Sequence, residues 1–105
     1  MSITARSDFL LLSAVTSTGA GTSRPLAKTA ATFQATVSGT GAVSATVAIE
    51  VSNDGDNFVT LGTITLSGTT TATDGFAASA PWAVVRANCT AISGTGAALS
   101  VVMGA

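Results

Sequence analysis

The sequence predicts an all-β fold: a single antiparallel β-sandwich or jelly-roll-like domain of about seven or eight strands with an N-terminal arm. Three observations carry this expectation. First, 20 Ala, 18 Thr, 12 Ser, 11 Gly and 10 Val supply 71 of the 105 residues. Thr and Val suit a pleated, half-buried surface, and Gly and Ser suit turns, whereas the long runs of Leu, Glu, Lys, Gln and Arg that build helices are lacking. Second, apolar and polar residues alternate over long stretches, the period of a strand with one buried face. Third, Gly- and Asp-containing turn signals recur at short spacing, the rhythm of sandwiches and barrels. A chain of 105 residues makes one domain, with residues 26–105 as its core and 1–25 as arm and loop.

Along the chain, Arg6 followed by an apolar stretch to Val15 has the outline of a secretory signal. Asp8 interrupts it and the stretch is short, so a strand or arm is expected instead. The longest apolar run, Phe9-Leu10-Leu11-Leu12, is far too short to span a bilayer. Phe9 to Thr16 is expected as a strand and Thr18 to Pro25 as a loop. From Thr32 to Ser38 the residues Phe33, Ala35 and Val37 share one face, and from Val43 the residues Val43, Ala45, Val47, Ile49 and Val51 do the same. Gly39-Thr40-Gly41 separates these runs and predicts a hairpin between them. Ser52 to Asn57, with Asp54-Gly55 at its centre, is a second turn. Beyond it, Val59 and Leu61 lie on one parity, and Ile64 and Leu66 on the other. One extra residue near Gly62 would return both pairs to the core, which predicts a β-bulge.

Ser67 to Thr71 reads as a loop and Asp74-Gly75 as a further break. Pro81 precedes a strand from Trp82 to Ile92, where proline is tolerated at the start. One parity of that strand is small and apolar (Ala83, Val85, Ala87, Cys89, Ala91) and the other is mixed, so its core face is left open. Ser93 to Ala97 repeats the word SGTGA of residues 38–42, which predicts one turn used twice. Leu99, Val101 and Met103 close the chain on one face.

The same composition excludes much chemistry. There is no His, one Cys, four Lys and Arg, and five Asp and Glu. A disulfide framework lacks a second Cys, a Cys/His zinc site lacks ligands, and a Ser-His-Asp device lacks imidazole. Four cations make no nucleic-acid footprint. No phosphate-binding glycine motif precedes a helix. No cofactor is expected. Charged residues are 9% of the chain, less than a free soluble monomer normally displays, and this favours life inside an assembly.

The candidate residues are few. Asn53, Asp54, Asp56 and Asn57, with Glu50 nearby, offer oxygens to a calcium ion or a sugar, but the EF-hand spacing is absent, and a solvated hairpin turn explains the same residues. Cys89 sits on a small apolar parity and reads as a core residue. Asn88-Cys89-Thr90 matches a glycosylation sequon inside a strand, a poor acceptor. Trp82 and Arg86, four apart on one expected face, would make a recognition patch, against the plainer reading of a Trp closing the fold and an Arg neutralising an acid. Ile3, Phe9, Leu10, Leu11 and Leu12 would let the arm dock on a neighbour.

Residues 30–105 resemble small β-rich structural proteins of tailed bacteriophages and prophages. The words that carry this are FQATVSGTGAVSATVAIEVSNDGDNFVTLGTITLSG, then DGF, then APWAVVRANCTAISGTGA, and LLLSAVTSTGAGTS fits the pattern too. The phrase SNDGDNFVTL, with WAVVRA, is also similar to a strand turn of discoidin-type carbohydrate-binding sandwiches. The phage resemblance supplies no catalytic residue. It implies a non-enzymatic virion component assembled in the host cytoplasm, foremost a capsid decoration or cement protein. Its partners would be copies of itself and the major capsid or tail proteins, not nucleic acid or membrane. The rival expectation is a tail- or fibre-associated adaptor or a carbohydrate-binding module, with the 53–57 loop and Trp82 near a glycan.

Overall fold

The computed structural model describes residues 10–26, 30–79 and 82–104. Among them there is no helix, and every strand belongs to one antiparallel sheet. The strands are β1 (Leu10–Val15), β2 (Gly19–Ala20), β3 (Arg24–Pro25), β4 (Ala30–Ser52), β5 (Val59–Ser79) and β6 (Val84–Gly104). Across the sheet the order is β1-β6-β4-β5, and β2 and β3 also pair with β6. β1 lies along the second half of β6, from Leu10 opposite Val102 to Val15 opposite Leu99. β2 and β3 lie along its first half, with Gly19 opposite Cys89 and Arg24 opposite Val85.

The three long strands cannot be straight. β4 has 23 residues and β5 and β6 have 21 each. At roughly 3.3 Å per residue a straight strand of that length would exceed about 65 Å, yet the longest dimension of the molecule is 39 Å. The bends fall side by side. β4 breaks register between Ser38 and Ala42, with Gly41 at φ 75°. β5 turns at Thr70, φ 66°, and β6 at Gly94 and Gly96, φ 121° and 67°. The bend brings distant parts of one strand together: a Cβ on Gly62 would lie 2.6 Å from the ring of Phe76, although both residues belong to β5.

This corrects the expected hairpin between residues 32–38 and 43–52. Those runs are one strand, because β5 and β6 bend alongside β4 and remain its neighbours on both halves. The hairpin lies instead at residues 53–58, joining β4 to β5. For the same reason the described residues form six strands, three of them long, where about seven or eight short ones were expected: the signals at 39–41, 67–71 and 93–97 bend strands without ending them. Asp74-Gly75 lies within β5, opposite Ala35 and Gln34. The two SGTGA words are not turns, since both lie inside long strands and mark bends there. They face each other across β4 and β6, with Ser38 opposite Ala98 and Thr40 opposite Thr95, and the second Gly of each has a positive φ.

One cluster forms the core. Its members from β4 are Ala31, Phe33, Ala35 and Val37 before the bend and Val43, Ala45, Val47, Ile49 and Val51 after it, the parity that alternation predicts. The bulge expected near Gly62 is present: Ile49 faces Gly62 while Glu50 faces Thr60, leaving Leu61 extra. It returns Leu61 to the margin of the core with Ile64 and Leu66, but Val59 stays 51% exposed. On β6 the small parity is the buried one for Val85, Ala87 and Cys89. An extra residue at Thr90 then changes the phase, since Val47 faces Cys89 and Thr46 faces Ala91. Ala91 is therefore exposed and Ile92 packs against the core.

Thr70 is exposed and β-branched at positive φ, a conformation that costs an L-residue roughly 1–2 kcal/mol. Thr70→Gly is expected to raise stability by about 0.5–1 kcal/mol after the larger entropy of the unfolded Gly chain is counted. A lower urea midpoint for the variant would show that this residue is not strained.

Candidate functional site

The charged and amide side chains that bond to other side chains gather around the β4–β5 hairpin and the start of β6. Glu50 on β4 stands directly opposite Arg86 on β6, on the face away from buried Val85 and Ala87. Arg86 Nε donates to Glu50 Oε1 at 2.8 Å, and Asn88 Nδ2 donates to Glu50 Oε2 at 3.3 Å. The Arg86 guanidinium carbon lies 3.8 Å from the centre of the Phe58 ring. The cation thus has a carboxylate at one nitrogen and an aromatic face against its plane. The side chains of Arg86 and Glu50 are 31% and 16% exposed, so water screens part of the attraction and the pair serves geometry more than stability.

The hairpin loop is held by its own side chains. Ser52, which is buried, accepts from the backbone N–H groups of Asp54 and Gly55 through Oγ and donates to Asp54 Oδ1 at 2.8 Å. Asp54 Oδ1 also accepts from the N–H groups of Asp56 and Asn57, and Oδ2 from Asn57 Nδ2. These bonds, led by the backbone N–H of Asn57, hold the Asp54 carboxyl well below its ordinary value of 3.8. Asn53 Oδ1 accepts from Ala83 N at 3.1 Å, tying the loop to the segment before β6.

A depressed carboxyl value means that the loop's contribution is complete above the ordinary Asp range and fades as pH falls below it. Asp54→Asn should therefore lower the unfolding temperature at neutral pH, and its deficit should shrink as the pH drops from about 4 toward 2. A deficit unchanged by pH would remove the ionised carboxylate from the account.

The sequence-predicted residues fall as follows. Asn53, Asp54, Asp56 and Asn57 form one exposed loop, with the oxygens of Asp54 bonded inside it. Among the described residues no group of three or more His, Cys, Asp or Glu lies close enough to hold a metal ion. Trp82 and Arg86 go to different surroundings. Strand alternation reaches Arg86 but not Trp82, because β6 begins at Val84. Trp82 is half-buried against the core, while Arg86 joins Glu50 and Phe58. Ile3 and Phe9 lie outside the described residues. Leu10 is half-buried in β1, and Leu11 and Leu12 are core residues, 3% and 5% exposed. They are not free to dock on a neighbour, because β1 pairs with β6 and turns them inward. Cys89 is buried and burial raises its thiol pKa; it serves as core.

Two members of the cluster around Glu50 and Arg86 carry no sequence motif that places them there. Phe58 directly follows the turn residues and carries no motif. Asn88 belongs with Glu50 only through the register that sets Ala48 opposite Asn88. Comparison of the chain with known protein families, with curated proteins and with solved structures finds no significant match to any of them.

Proposed function

We propose that the chain is a non-enzymatic structural protein of a tailed-bacteriophage virion, a capsid decoration protein that stabilises the head through contacts with copies of itself and with the major capsid protein. The resemblance of its strand and turn words supplies the phage setting. The observation that carries the structural role is where the charges go. Glu50, Asp54, Asp74 and Arg86 each bond within the molecule, and the remaining outward residues of the long strands are mostly Thr, Ser, Gly and Ala. Such surfaces suit close contact with neighbouring subunits. In this reading the bent sheet is a two-layered sandwich, each layer being one half of the same long strands. A protein that binds only the assembled shell stabilises it by mass action.

Purified virions test this. The expected result is a copy number matching the capsid lattice, and a lower head-disruption temperature after the protein is stripped away. Its absence from particles would overturn the proposal. Because Leu11 and Leu12 belong to the core, a test of the arm must stop at residue 9: the chain lacking residues 1–9 should still fold and should occupy fewer capsid sites, while unchanged occupancy would discard the arm as anchor. The alternative is a tail- or fibre-associated adaptor or a carbohydrate-binding module. It draws on the Asn53–Ala83 bond, which sets the hairpin loop next to the segment carrying Trp82. Glycan binding by the isolated protein, with no particle occupancy, would favour it.

A further inference from the structure

The two edges of the sheet differ. One is made of short pieces, β1, β2 and β3, of six, two and two residues. The other is β5, 21 residues long, which pairs with β4 on one side and, over residues 62–69, with no further strand among the described residues. Proteins usually protect an open edge with Lys, Pro, inward charges or brevity. β5 has no Lys, no Arg and no Pro, and its one charge, Asp74, lies beyond the bend. Between the bulge at Leu61 and the bend at Thr70, residues 62–69 keep one unbroken register with β4. Their side chains are sorted cleanly: Thr63, Thr65 and Ser67 are exposed on the outer face, and Ile64 and Leu66 are buried on the inner one.

We propose that this edge pairs with the same edge of a second copy, antiparallel, about a two-fold axis at Thr65. The choice of a second copy follows from charge and chemistry. An identical partner brings identical charges, which only an uncharged edge tolerates, while a charged partner would find nothing here to recognise. Hydroxyl rows are self-complementary, and the fold already uses such pairs across its strands: Thr36 and Thr73 Oγ1 are 3.1 Å apart, and Ser44 and Ser93 Oγ 3.3 Å. An axis on a residue keeps outer faces together, with Thr63 opposite the partner's Ser67 and Ile64 opposite the partner's Leu66. The register is centred on Thr65 because it is the outer-face residue nearest the middle of the stretch between the bulge and the bend. One long edge per molecule gives a closed pair rather than a fibre.

The test uses the full chain and two double variants at the exposed positions. Thr63→Lys with Ser67→Lys sets like charges in register across the axis, and Thr63→Lys with Ser67→Glu sets opposite ones. Sedimentation equilibrium should show the unmodified chain as a dimer, the like-charge variant associating about tenfold more weakly, and the opposite-charge variant still paired. An unmodified chain that stays monomeric, or two variants that behave alike, would overturn the proposal. Should the variants fold poorly, amide exchange of the unmodified chain decides: protection of residues 62–69 that rises with protein concentration supports the pairing, and exchange there that ignores concentration refutes it. The readouts need no virus particle, so failure here would leave the decoration reading standing, and the reverse holds too.

Discussion

Phe33→Ala is expected to lower stability by about 3–5 kcal/mol, the loss typical of a large aromatic removed from a closed core. Domains of this size are stable by only about 5–15 kcal/mol, so this variant should be close to unfolding at physiological temperature. Phe33 is 1% exposed and stands at the crossing of three strands, opposite Phe76 of β5 and Met103 of β6. Its ring centre is 5.3 Å from that of Phe76, tilted by 38°, an arrangement that adds attraction beyond buried area. Phe76 in turn covers Gly62 from the other half of β5. Emptying the Phe33 site would loosen the contact that holds the bend closed. Urea unfolding of the purified variant measures this, and a loss below about 1 kcal/mol would contradict the packing described.

The second large effect is expected at Gly75. Asp74-Gly75 reads in the sequence as a break between strands. In the structure Gly75 lies inside β5, where a Cβ would come within 2.3 Å of the Phe33 carbonyl oxygen. That oxygen belongs to a paired backbone and cannot swing away as a side-chain tip can. Gly75→Ala is therefore expected to cost about 2–3 kcal/mol. Gly55→Ala is the matched control: Gly55 has φ 79° in an open loop with no atom within 4 Å of the added Cβ, so its cost is only the backbone strain of about 1 kcal/mol. Equal losses at the two positions would mean that close approach is not what makes Gly75 necessary.

Much of the fold was legible because strand alternation is a local property. Val43 to Val51 declare their buried face two residues at a time, and the parity slip from Leu61 to Ile64 announces the extra residue of the bulge. The loop at 52–57 was legible for a similar reason: Ser, Asp and Asn reach their own neighbouring N–H groups, so their hydrogen bonds form within a few residues. The candidate site was less legible. Glu50, Phe58, Arg86 and Asn88 meet only because two strands far apart in sequence settle in one register. For Trp82 and Arg86 the contacts match the plainer reading, a Trp packed against the core and an Arg paired with an acid.

The β class, the buried parity of β4, the bulge near Gly62 and the loop after Ser52 all follow from residue types and their alternation. The composition also leaves no imidazole, no second cysteine and no Cys/His zinc ligand set, since a missing residue type cannot be restored by folding. Whether Gly39-Thr40-Gly41 reverses the chain or bends it depends on strands far away in sequence. Both outcomes use the same permissive glycine geometry. The choice rests on whether β5 and β6 turn alongside, and on the burial gained when Gly62 meets Phe76. That gain exists only between residues distant in sequence, so no local pattern contains it.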